Sequence, residues 1–473
     1  MNHLLTCFIA VHILLATAQP ALPNPLSRPK PAKAAGPLRV HPTNPRYFTN
    51  GTKNRDGSPK AVYLTGSHTW ADLQDIGLSN PRPAFDFDAY LDFLKRHHHN
   101  FIRLWRWEFS QWTERDKQQP FYCTPQPWQR TGPGEALDAK PKFNLEQFDE
   151  EYFQRLRSRV AAARERGICV SIMLFEGWGL RFVPNGWRAH PFYPANNINL
   201  TESEVKGIKG IDLLTLAWPK VTAFQEAYIR KVIDTVNDLD NVLYEIANES
   251  DFSTTQWQYY MIGFVKVYES TKAKQHPVGM TSIGYGVDDL DRLLKSPADW
   301  ISPNPDHYDY KSDPPASDGA KVIILDTDHL WGVGGNVSWV WKSFIRGLNP
   351  IWMDPLDRAS VWETTPANAE AVRNNLGYTL DFAERMNLAA MKPLPDLAST
   401  AYCLANAAEE YLVYQPKTGE DFFVELKVGV YRYEWLNPST GEVGGSGIVQ
   451  AADGKQQFKA PFEGDAVLYL KVQ

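Results

Sequence analysis

The chain has 473 residues, of which 43% are hydrophobic and 22% charged, and its formal net charge is −6. This length accommodates one large domain with a smaller one, and the composition is typical of a packed globular protein. The net charge is mildly negative, whereas proteins that bind nucleic acids carry an excess of basic residues, so we expect no nucleic-acid partner.

The N-terminal segment predicts export. Residues 1–18 form an apolar run that ends in Ala-Thr-Ala, which is typical of a signal peptide and its cleavage site. The alternative is a short membrane anchor, but the run is short for a membrane span. Residues 19–40 are rich in Pro, Ala and Lys and predict a disordered leader. We therefore expect a secreted or periplasmic protein without membrane contact once the signal is removed.

Apolar runs alternate with amphipathic stretches between residues 41 and 393. The predicted strands are 62–70, 100–108, 168–176, 241–249, 277–283, 300–307, 321–328 and 349–354. The predicted helices are 85–97, 145–167, 222–239, 255–271, 337–346 and 367–386. Such a series predicts an α/β fold, a closed (β/α)8 TIM barrel. The alternative is an open doubly wound sheet, but no Gly-rich phosphate loop follows the first strand.

The pattern changes in residues 394–473. Short runs with period-2 character are separated by turn signals such as Asn437-Pro-Ser-Thr-Gly441. This pattern predicts a small C-terminal β-sandwich. Three cysteines remain after the signal, and their odd number excludes a full disulfide framework. Cys169 is expected to be a buried free thiol, whereas Cys123 and Cys403 could pair.

The working residues of a parallel barrel collect at the carboxyl ends of its strands. Acids, amides, imidazoles and indoles are concentrated there in this chain. The candidates are His68, Trp70, Arg103, Trp105, Glu176, Trp178, Asn248, Glu249, His307, Asp326, Asp328, His329 and Trp331.

Two of these candidates suit cleavage of a glycosidic bond, which needs a carboxyl group on each side of the bond. Glu249 follows the apolar run 241–247 and Asn248, and we interpret it as the general acid/base rather than an exposed loop carboxylate. Asp328 is preferred over Asp326 as the second carboxylate because it is nearer the strand end. Asp326 would lie one layer deeper and orient Arg103 or a histidine.

Arg103 is unusual inside an apolar strand, because a buried guanidinium needs an anionic partner. It could form a structural ion pair with Asp326 or Glu245, and it could also lower the pKa of the nucleophile. The adjacent residues His97, His98 and His99 are interpreted as a solvated helix end on the opposite face of the barrel.

Two further questions concern metals and indoles. Asp326, Asp328 and His329 could bind a metal, but we expect no metal and no cofactor. Among Trp70, Trp105, Trp107, Trp178 and Trp331, two or three are expected in the core. Trp178 and Trp331 are the better candidates for a sugar-stacking platform, because they lie beyond the last apolar residue of their strands.

Several local runs resemble the apiosidase-like glycoside hydrolases, which belong to the large clan of retaining TIM-barrel glycosidases. These runs are Tyr63-Leu-Thr-Gly-Ser-His-Thr-Trp70, Phe101-Ile-Arg-Leu-Trp105, Tyr244-Glu-Ile-Ala-Asn-Glu249 and the run ending at Asp328. The resemblance covers roughly residues 40 to 473, including a C-terminal β-domain of the collagen-binding type. It implies that Glu249 is the acid/base. Asp328 stands where the clan usually has Glu, so retention or inversion stays open. Carboxyl groups about 5–5.5 Å apart would give retention, and about 6.5–9.5 Å inversion.

We therefore expect a secreted glycoside hydrolase that acts on a poly- or oligosaccharide by a two-carboxylate mechanism, for which the resemblance to the clan favours retention. Glu249 would protonate the leaving oxygen, Asp328 would attack the anomeric carbon, and Asn248 would bind a neighbouring hydroxyl. Arg103 and His307 would support the nucleophile. The rival is a non-catalytic glycan- or collagen-binding protein on a barrel scaffold. Against it, buried charge without a role is costly to a fold.

Overall fold

The computed structural model describes residues 34–113, 120–282, 289–356 and 365–473. The predicted signal peptide and most of the predicted leader lie outside these ranges. Within them, no helix combines the length and apolar character needed to cross a membrane.

Eight parallel strands form one sheet and confirm the predicted (β/α)8 barrel. They are β1 (Gly66–His68), β2 (Phe101–Leu104), β3 (Cys169–Glu176), β4 (Val242–Asn248), β5 (Val278–Thr281), β6 (Trp300–Ser302), β7 (Val322–Asp326) and β8 (Asn349–Met353). Their order in the sheet is β1-β8-β7-β6-β5-β4-β3-β2. Because all of them run in one direction, their carboxyl ends share one rim.

The sheet closes between β1 and β2 through the residues that precede them. The Asn100 backbone N–H donates to the Thr65 carbonyl at 3.0 Å. The Asn100 side-chain oxygen accepts from the Thr65 N–H at 2.9 Å. Gly66 permits this approach, because a Cβ at that position would overlap the carbonyl oxygen of Phe101.

Nine α-helices lie in the described ranges, most of them packed around the barrel. They are α1 (Phe87–Arg96), α2 (Glu150–Glu165), α3 (Trp178–Phe182), α4 (Gly186–Ala189), α5 (Pro219–Val236), α6 (Thr255–Glu269), α7 (Leu290–Lys295), α8 (Val337–Ile345) and α9 (Ala369–Arg385). The predicted start of α2 at residue 145 is wrong. The Asp149 side chain caps the helix by accepting from the Glu151 N–H at 3.0 Å.

Residues 145–148 belong instead to a β-insertion between β2 and α2, which the sequence analysis missed. A hairpin pairs Trp128–Glu135 with Pro141–Phe148. A second, three-stranded sheet joins Asp75–Gly77, Phe121–Thr124 and Gln111–Trp112. Two predicted barrel strands also end earlier than expected, at Leu104 and Ser302. These short strands leave long segments above the rim.

The C-terminal part of the chain contains two antiparallel sheets. Its strands are β9 (Lys392–Pro393), β10 (Cys403–Asn406), β11 (Glu410–Gln415), β12 (Phe422–Leu426), β13 (Gly429–Leu436), β14 (Val443–Ala451), β15 (Gly454–Phe458) and β16 (Ala466–Val472). Six strands form the sheet β9-β10-β11-β16-β13-β14, and β12 pairs with β15. Alternation along β11 buries both faces of the larger sheet. Tyr411 and Val413 pack towards β12, whereas Leu412 and Tyr414 pack against α8 and α9.

The cysteines form no bridge in the described residues. Cys123, Cys169 and Cys403 are all free thiols, so the alternative pairing of Cys123 with Cys403 does not occur. Cys123 and Cys403 are buried, and Cys169 is half-buried.

The histidines after α1 are not a solvated helix end, and this interpretation is corrected. His99 is buried and bonds the Arg373 carbonyl oxygen at 2.9 Å, and burial lowers its pKa to about 3. His98 lies between two carboxylates of α9, with Nδ1 2.6 Å from Asp381 and Nε2 3.5 Å from Glu384. His97 Nε2 also lies 3.0 Å from Glu370 of α9, so the three residues tie the end of α1 to α9.

We predict that His98 stabilises the fold only while it is protonated. Burial opposes its charge, but Asp381 and Glu384 outweigh burial and raise its pKa to about 9. The stabilisation is therefore complete below the unfolded pKa of about 6.5 and is lost as the pH rises through 9. His98→Asn keeps a residue that tolerates the left-handed backbone, φ 59°. It should lower the free energy of unfolding by about 1–3 kcal/mol near pH 6.

Urea unfolding near pH 6 and near pH 10 measures this difference. The two proteins should have similar stability at the higher pH. A variant that is equally destabilised at both pH values would show that the charge of His98 contributes nothing.

Candidate active site

Glu249 and Asp328 lie at the rim of the barrel. Glu249 follows the last residue of β4, and Asp328 stands in the 3₁₀ turn Thr327–His329 that follows β7. Both side chains are buried, with relative exposures of 5% and 7%. Glu249 has φ 37°, a backbone conformation that is strained for a residue other than glycine and is concentrated at functional sites.

Arg103 connects the strand ends from inside the barrel. Its Nε and Nη2 donate to Glu245 at 2.8 and 2.6 Å, as a bidentate pair. Its Nη1 donates to Asp326 at 2.7 Å and to Asp328 at 3.1 Å. Both ion pairs expected for Arg103 therefore form, and the guanidinium also holds Asp328.

The two aspartates of β7 and its turn have different environments. Asp326 accepts from the Asp328 N–H at 2.9 Å and bonds His68 Nε2 at 3.0 Å. Burial works against its charge, but His68 and Arg103 outweigh burial and hold its pKa below the usual range. For Asp328, burial and the charge of Asp326 outweigh Arg103 and raise the pKa to about 6. Asp326 is thus a fixed counter-ion, and Asp328 titrates near neutrality.

Asn248 and His329 fix one another beside this cluster. The Asn248 side-chain oxygen accepts from Arg103 Nη2 at 2.9 Å and contacts His329 Nε2 at 3.1 Å. Burial lowers the pKa of His329 to about 3, so the imidazole is neutral. Because the amide oxygen only accepts, Nε2 carries the proton, and Nδ1 accepts from the Ser302 hydroxyl at 2.7 Å. The amide group of Asn248 is therefore oriented with its oxygen towards Arg103.

Glu249 experiences a strongly negative environment. Burial is the largest cause of a pKa well above the usual range, followed by the charges of Asp328 and Glu176. Glu176 ends β3 and accepts from the Gly179 N–H at 2.7 Å. Burial raises its pKa to about 8. Glu249 and Glu176 therefore favour the protonated state at neutral pH.

The five candidate tryptophans divide by exposure. Trp70, Trp105 and Trp107 are buried in the main core. The Trp105 ring stacks on His68 with centroids 5.8 Å apart, and the Arg103 guanidinium lies 5.1 Å from its centroid. Trp178 and Trp331 are half-buried after β3 and β7. Trp105 therefore packs against the ion cluster, and Trp70 and Trp107 pack against Trp105. Trp178 and Trp331 retain exposed ring surface.

His307 lies apart from this cluster, which corrects its expected support of the nucleophile. It is exposed on the loop after β6, and its ring meets Tyr308 edge-on at 4.3 Å. In the described ranges, Asp328 is held instead by Arg103, and His329 Nε2 lies 3.6 Å from its carboxylate.

The metal alternative does not fit the donor geometry. Arg103 Nη1 already donates to one oxygen of Asp326 and to one oxygen of Asp328, and His329 Nε2 points to Asn248. No group of three His, Cys, Asp or Glu side chains in the described ranges could hold a metal ion.

A supporting pair of side chains lies behind Glu176, and its histidine was missed by the sequence analysis. Glu108 accepts from the Glu176 backbone N–H at 2.7 Å and bonds His190 Nε2 at 2.9 Å. Burial raises the pKa of Glu108, but Arg106 and His190 outweigh burial, and the net pKa is lowered. His190 lies in an irregular loop after α4, where no periodic signal marks it.

Comparison with known proteins supports the fold. A family model described as a domain of unknown function, DUF6298, matches residues 93–298, a little under half of the chain. No curated protein matches the chain in sequence. The matched residues include Arg103, Glu176 and Glu249, whereas β7 and Asp328 lie beyond them.

Solved structures match the whole architecture. One named "Glycoside hydrolase" has 12% identity and a TM-score of 0.57, covering 93% of this chain and 97% of its own. A glycoside hydrolase family 5 protein from Bacteroides vulgatus ATCC 8482 has 11% identity and a TM-score of 0.57, covering 92% and 93%. At such identities the likeness establishes the fold. The narrower resemblance to apiosidase-like enzymes and collagen-binding domains stays a prediction.

We predict that Arg103→Met lowers the free energy of unfolding by about 3–5 kcal/mol near pH 8, because it leaves buried carboxylates without their cation. The loss should shrink as the pH falls, since protonation removes the uncompensated charges. Urea unfolding near pH 8 and near pH 5 measures both effects.

Arg157→Met is the matched control, since its ion pair with Asp238 is exposed on the outer surface. It should change stability little at either pH. A loss in Arg103→Met that does not depend on pH would mean that packing, rather than charge, explains the role of Arg103.

Proposed function

We propose that this protein is a secreted glycoside hydrolase that cleaves a poly- or oligosaccharide by a two-carboxylate mechanism. The supporting observation is the electrostatic coupling of Glu249 and Asp328 at one rim. Each is buried, and the charge of Asp328 helps to raise the pKa of Glu249. One carboxyl is thus kept protonated near a second that ionises at lower pH, which is the division of roles that glycoside cleavage requires.

The reaction would begin with Glu249 in its acid form. Its proton passes to the glycosidic oxygen as the bond between that oxygen and the anomeric carbon breaks. The Asp328 carboxylate attacks the same carbon and forms a glycosyl ester. The Glu249 carboxylate then takes a proton from water, and the resulting attack releases Asp328. Two displacements at one carbon retain its configuration.

The residues around the two acids would support these steps. Arg103 holds one oxygen of Asp328 and favours the ionised nucleophile. The Asn248 side-chain oxygen is occupied by Arg103 and His329, so its N–H groups are the part that would donate to a sugar hydroxyl. Trp178 and Trp331 would offer ring faces to the apolar side of a sugar.

The position of Asp328 in the chain also explains how a side chain one methylene shorter than Glu could reach the substrate as the nucleophile. β7 ends at Asp326, and Asp328 stands two residues further along, in a turn beyond the strand. The backbone itself therefore carries the carboxylate towards the rim.

We predict that Glu249→Gln and Asp328→Asn each lower kcat by about 10³-fold or more. The loss in Glu249→Gln should be smaller on aryl glycosides with good leaving groups, because such groups need little protonation. A screen of plant and microbial glycans with product analysis identifies a substrate, and NMR of the first product anomer tests retention.

Glu202→Gln and Asp238→Asn are matched exposed controls and should keep full activity. Full hydrolysis by both active-site variants would rule out the proposed roles. If only Asp328→Asn keeps hydrolysis, the nucleophile would be a carboxylate other than Asp328.

We also predict a bell-shaped dependence of kcat/KM on pH. Activity should rise as Asp328 ionises, with an acid limb near its pKa of about 6. It should fall when Glu249 loses its proton, on an alkaline limb well above the usual range for a carboxylic acid. Initial rates between about pH 4 and pH 10 measure both limbs. An acid limb near pH 4 would show that Asp328 lacks the described environment during the reaction.

A further inference from the structure

A groove of about 540 Å³ lies on the same face of the barrel as Glu249. Its walls come from the β-insertion after β2 and from the segment around α4 after β3. Gln111, Arg130 and Leu137 stand on the first wall, and Asn185 and Arg188 stand on the second. This volume is within the range of small-ligand pockets, about 300–1,000 Å³.

The groove and the catalytic centre share a thin wall. A Cβ on Gly179 would overlap the Phe109 ring and reach to 2.8 Å from the Glu176 carboxylate. A Cβ on Gly186 would overlap the Gly179 carbonyl. Glycine at both positions therefore lets α4, which carries Arg188, pack directly against the residues beside Glu176.

A series of indoles links the two places. Trp112 lines the groove and stacks on Trp107, with centroids 4.9 Å apart and an interplanar angle of 23°. Trp107 in turn meets Trp178 edge-on at 6.2 Å. Trp178 is half-buried and follows Glu176 by two residues, so one side chain, Trp107, lies between the groove and the proposed sugar platform.

The charges of the groove are unbalanced. Arg130 is paired with Asp138 at 3.0 Å. The Arg188 guanidinium lies 5.6 Å from the centroid of Tyr193, and no carboxylate in the described ranges pairs with it. Lys140 lies nearby, and burial together with the charge of Arg130 lowers its pKa. Although the chain has a net charge of −6, the described residues that line this groove include two arginines and one aspartate.

We propose that the groove binds an acidic sugar unit, a hexuronate, whose carboxylate is held by Arg188. A guanidinium matches a carboxylate through two parallel N–H donors. Leu137, with 51% of its surface exposed, offers an apolar surface to the sugar ring. The side-chain amides of Gln111 and Asn185 suit its hydroxyls. The proposal rests on the proposed function in one respect, that the acidic unit belongs to the glycan cleaved at Glu249.

Calorimetric titration of the Glu249→Gln variant tests binding without turnover. The probes are a galacturonic acid trisaccharide and an uncharged galactose trisaccharide of the same length. The acidic probe should bind, the neutral probe should bind at least tenfold more weakly, and added salt should weaken the acidic probe. Arg188→Gln in the same background should weaken the acidic probe about tenfold or more. Arg157→Gln, which also removes an exposed guanidinium, should leave it unchanged.

Equal affinity for both probes, or unchanged affinity in Arg188→Gln, would overturn the proposal. So would failure of the acidic probe to bind at millimolar concentration. These outcomes are separate from the hydrolase proposal, which fails if Glu249→Gln and Asp328→Asn still cleave the glycan. If the unsubstituted protein binds the acidic probe but hydrolyses no glycan, the proposed groove would be supported and the proposed reaction rejected.

Discussion

The site depends on one buried guanidinium that serves three carboxylates. Arg103 binds Glu245, Asp326 and Asp328, which come from β4, β7 and the turn after β7. Removing these charges from water is costly, and the cost is offset only because the hydrogen bonds are numerous and short. One cation cannot neutralise three anions, and the remaining negative charge disfavours ionisation of Asp328 and Glu249. Burial is the largest cause of the raised pKa values of Glu249 and Asp328, and this unbalanced negative charge adds to it.

The geometry also explains why the cation is an arginine. Arg103 pairs in register with Ser171, and Ser171 pairs with Leu243, so Glu245 lies two residues nearer the rim. The side chain therefore has to reach upwards along the barrel interior. At that height its planar fork faces Glu245 on one edge and Asp326 on another. A lysine ammonium is a point charge and would not hold both carboxylates in fixed orientations.

The sequence was informative where residues repeat with a period and uninformative where the chain is irregular. The eight strands were recognisable because a buried parallel strand is a continuous apolar run, and an acid that ends such a run must lie at the rim. The partners of Arg103 were predictable because few acids stand in apolar strands. The β-insertion could not be predicted in the same way. The two strands of its hairpin have few buried residues, and residues 145–148 match the helix pattern that continues in α2.

His307 and the residues near α1 show the other limit of sequence reasoning. A position after a strand predicts the rim but not the direction of a side chain, and the loop after β6 turns His307 towards Tyr308 and solvent. His98 and His99 contact α9, which lies far along the chain, and no local pattern reports such contacts. The left-handed backbone of Glu249 is equally invisible in the sequence. Tertiary contacts over long sequence separations decide the positions of His98 and His99.

The groove beside the rim bears on a difficulty that the rim itself creates. Glu245, Asp326 and Asp328 share the single positive charge of Arg103, and the excess negative charge repels an anionic ligand. An acidic glycan would therefore be a poor partner if every sugar unit had to lie at this centre. The wall formed by Phe109, Gly179 and Gly186 separates a positively charged groove from the carboxylates. An acidic unit bound at Arg188 would stand outside the negative centre while its neighbour occupied it. Binding free energy gained at Arg188 could then orient the scissile bond between Glu249 and Asp328, which is how remote contacts contribute to catalysis.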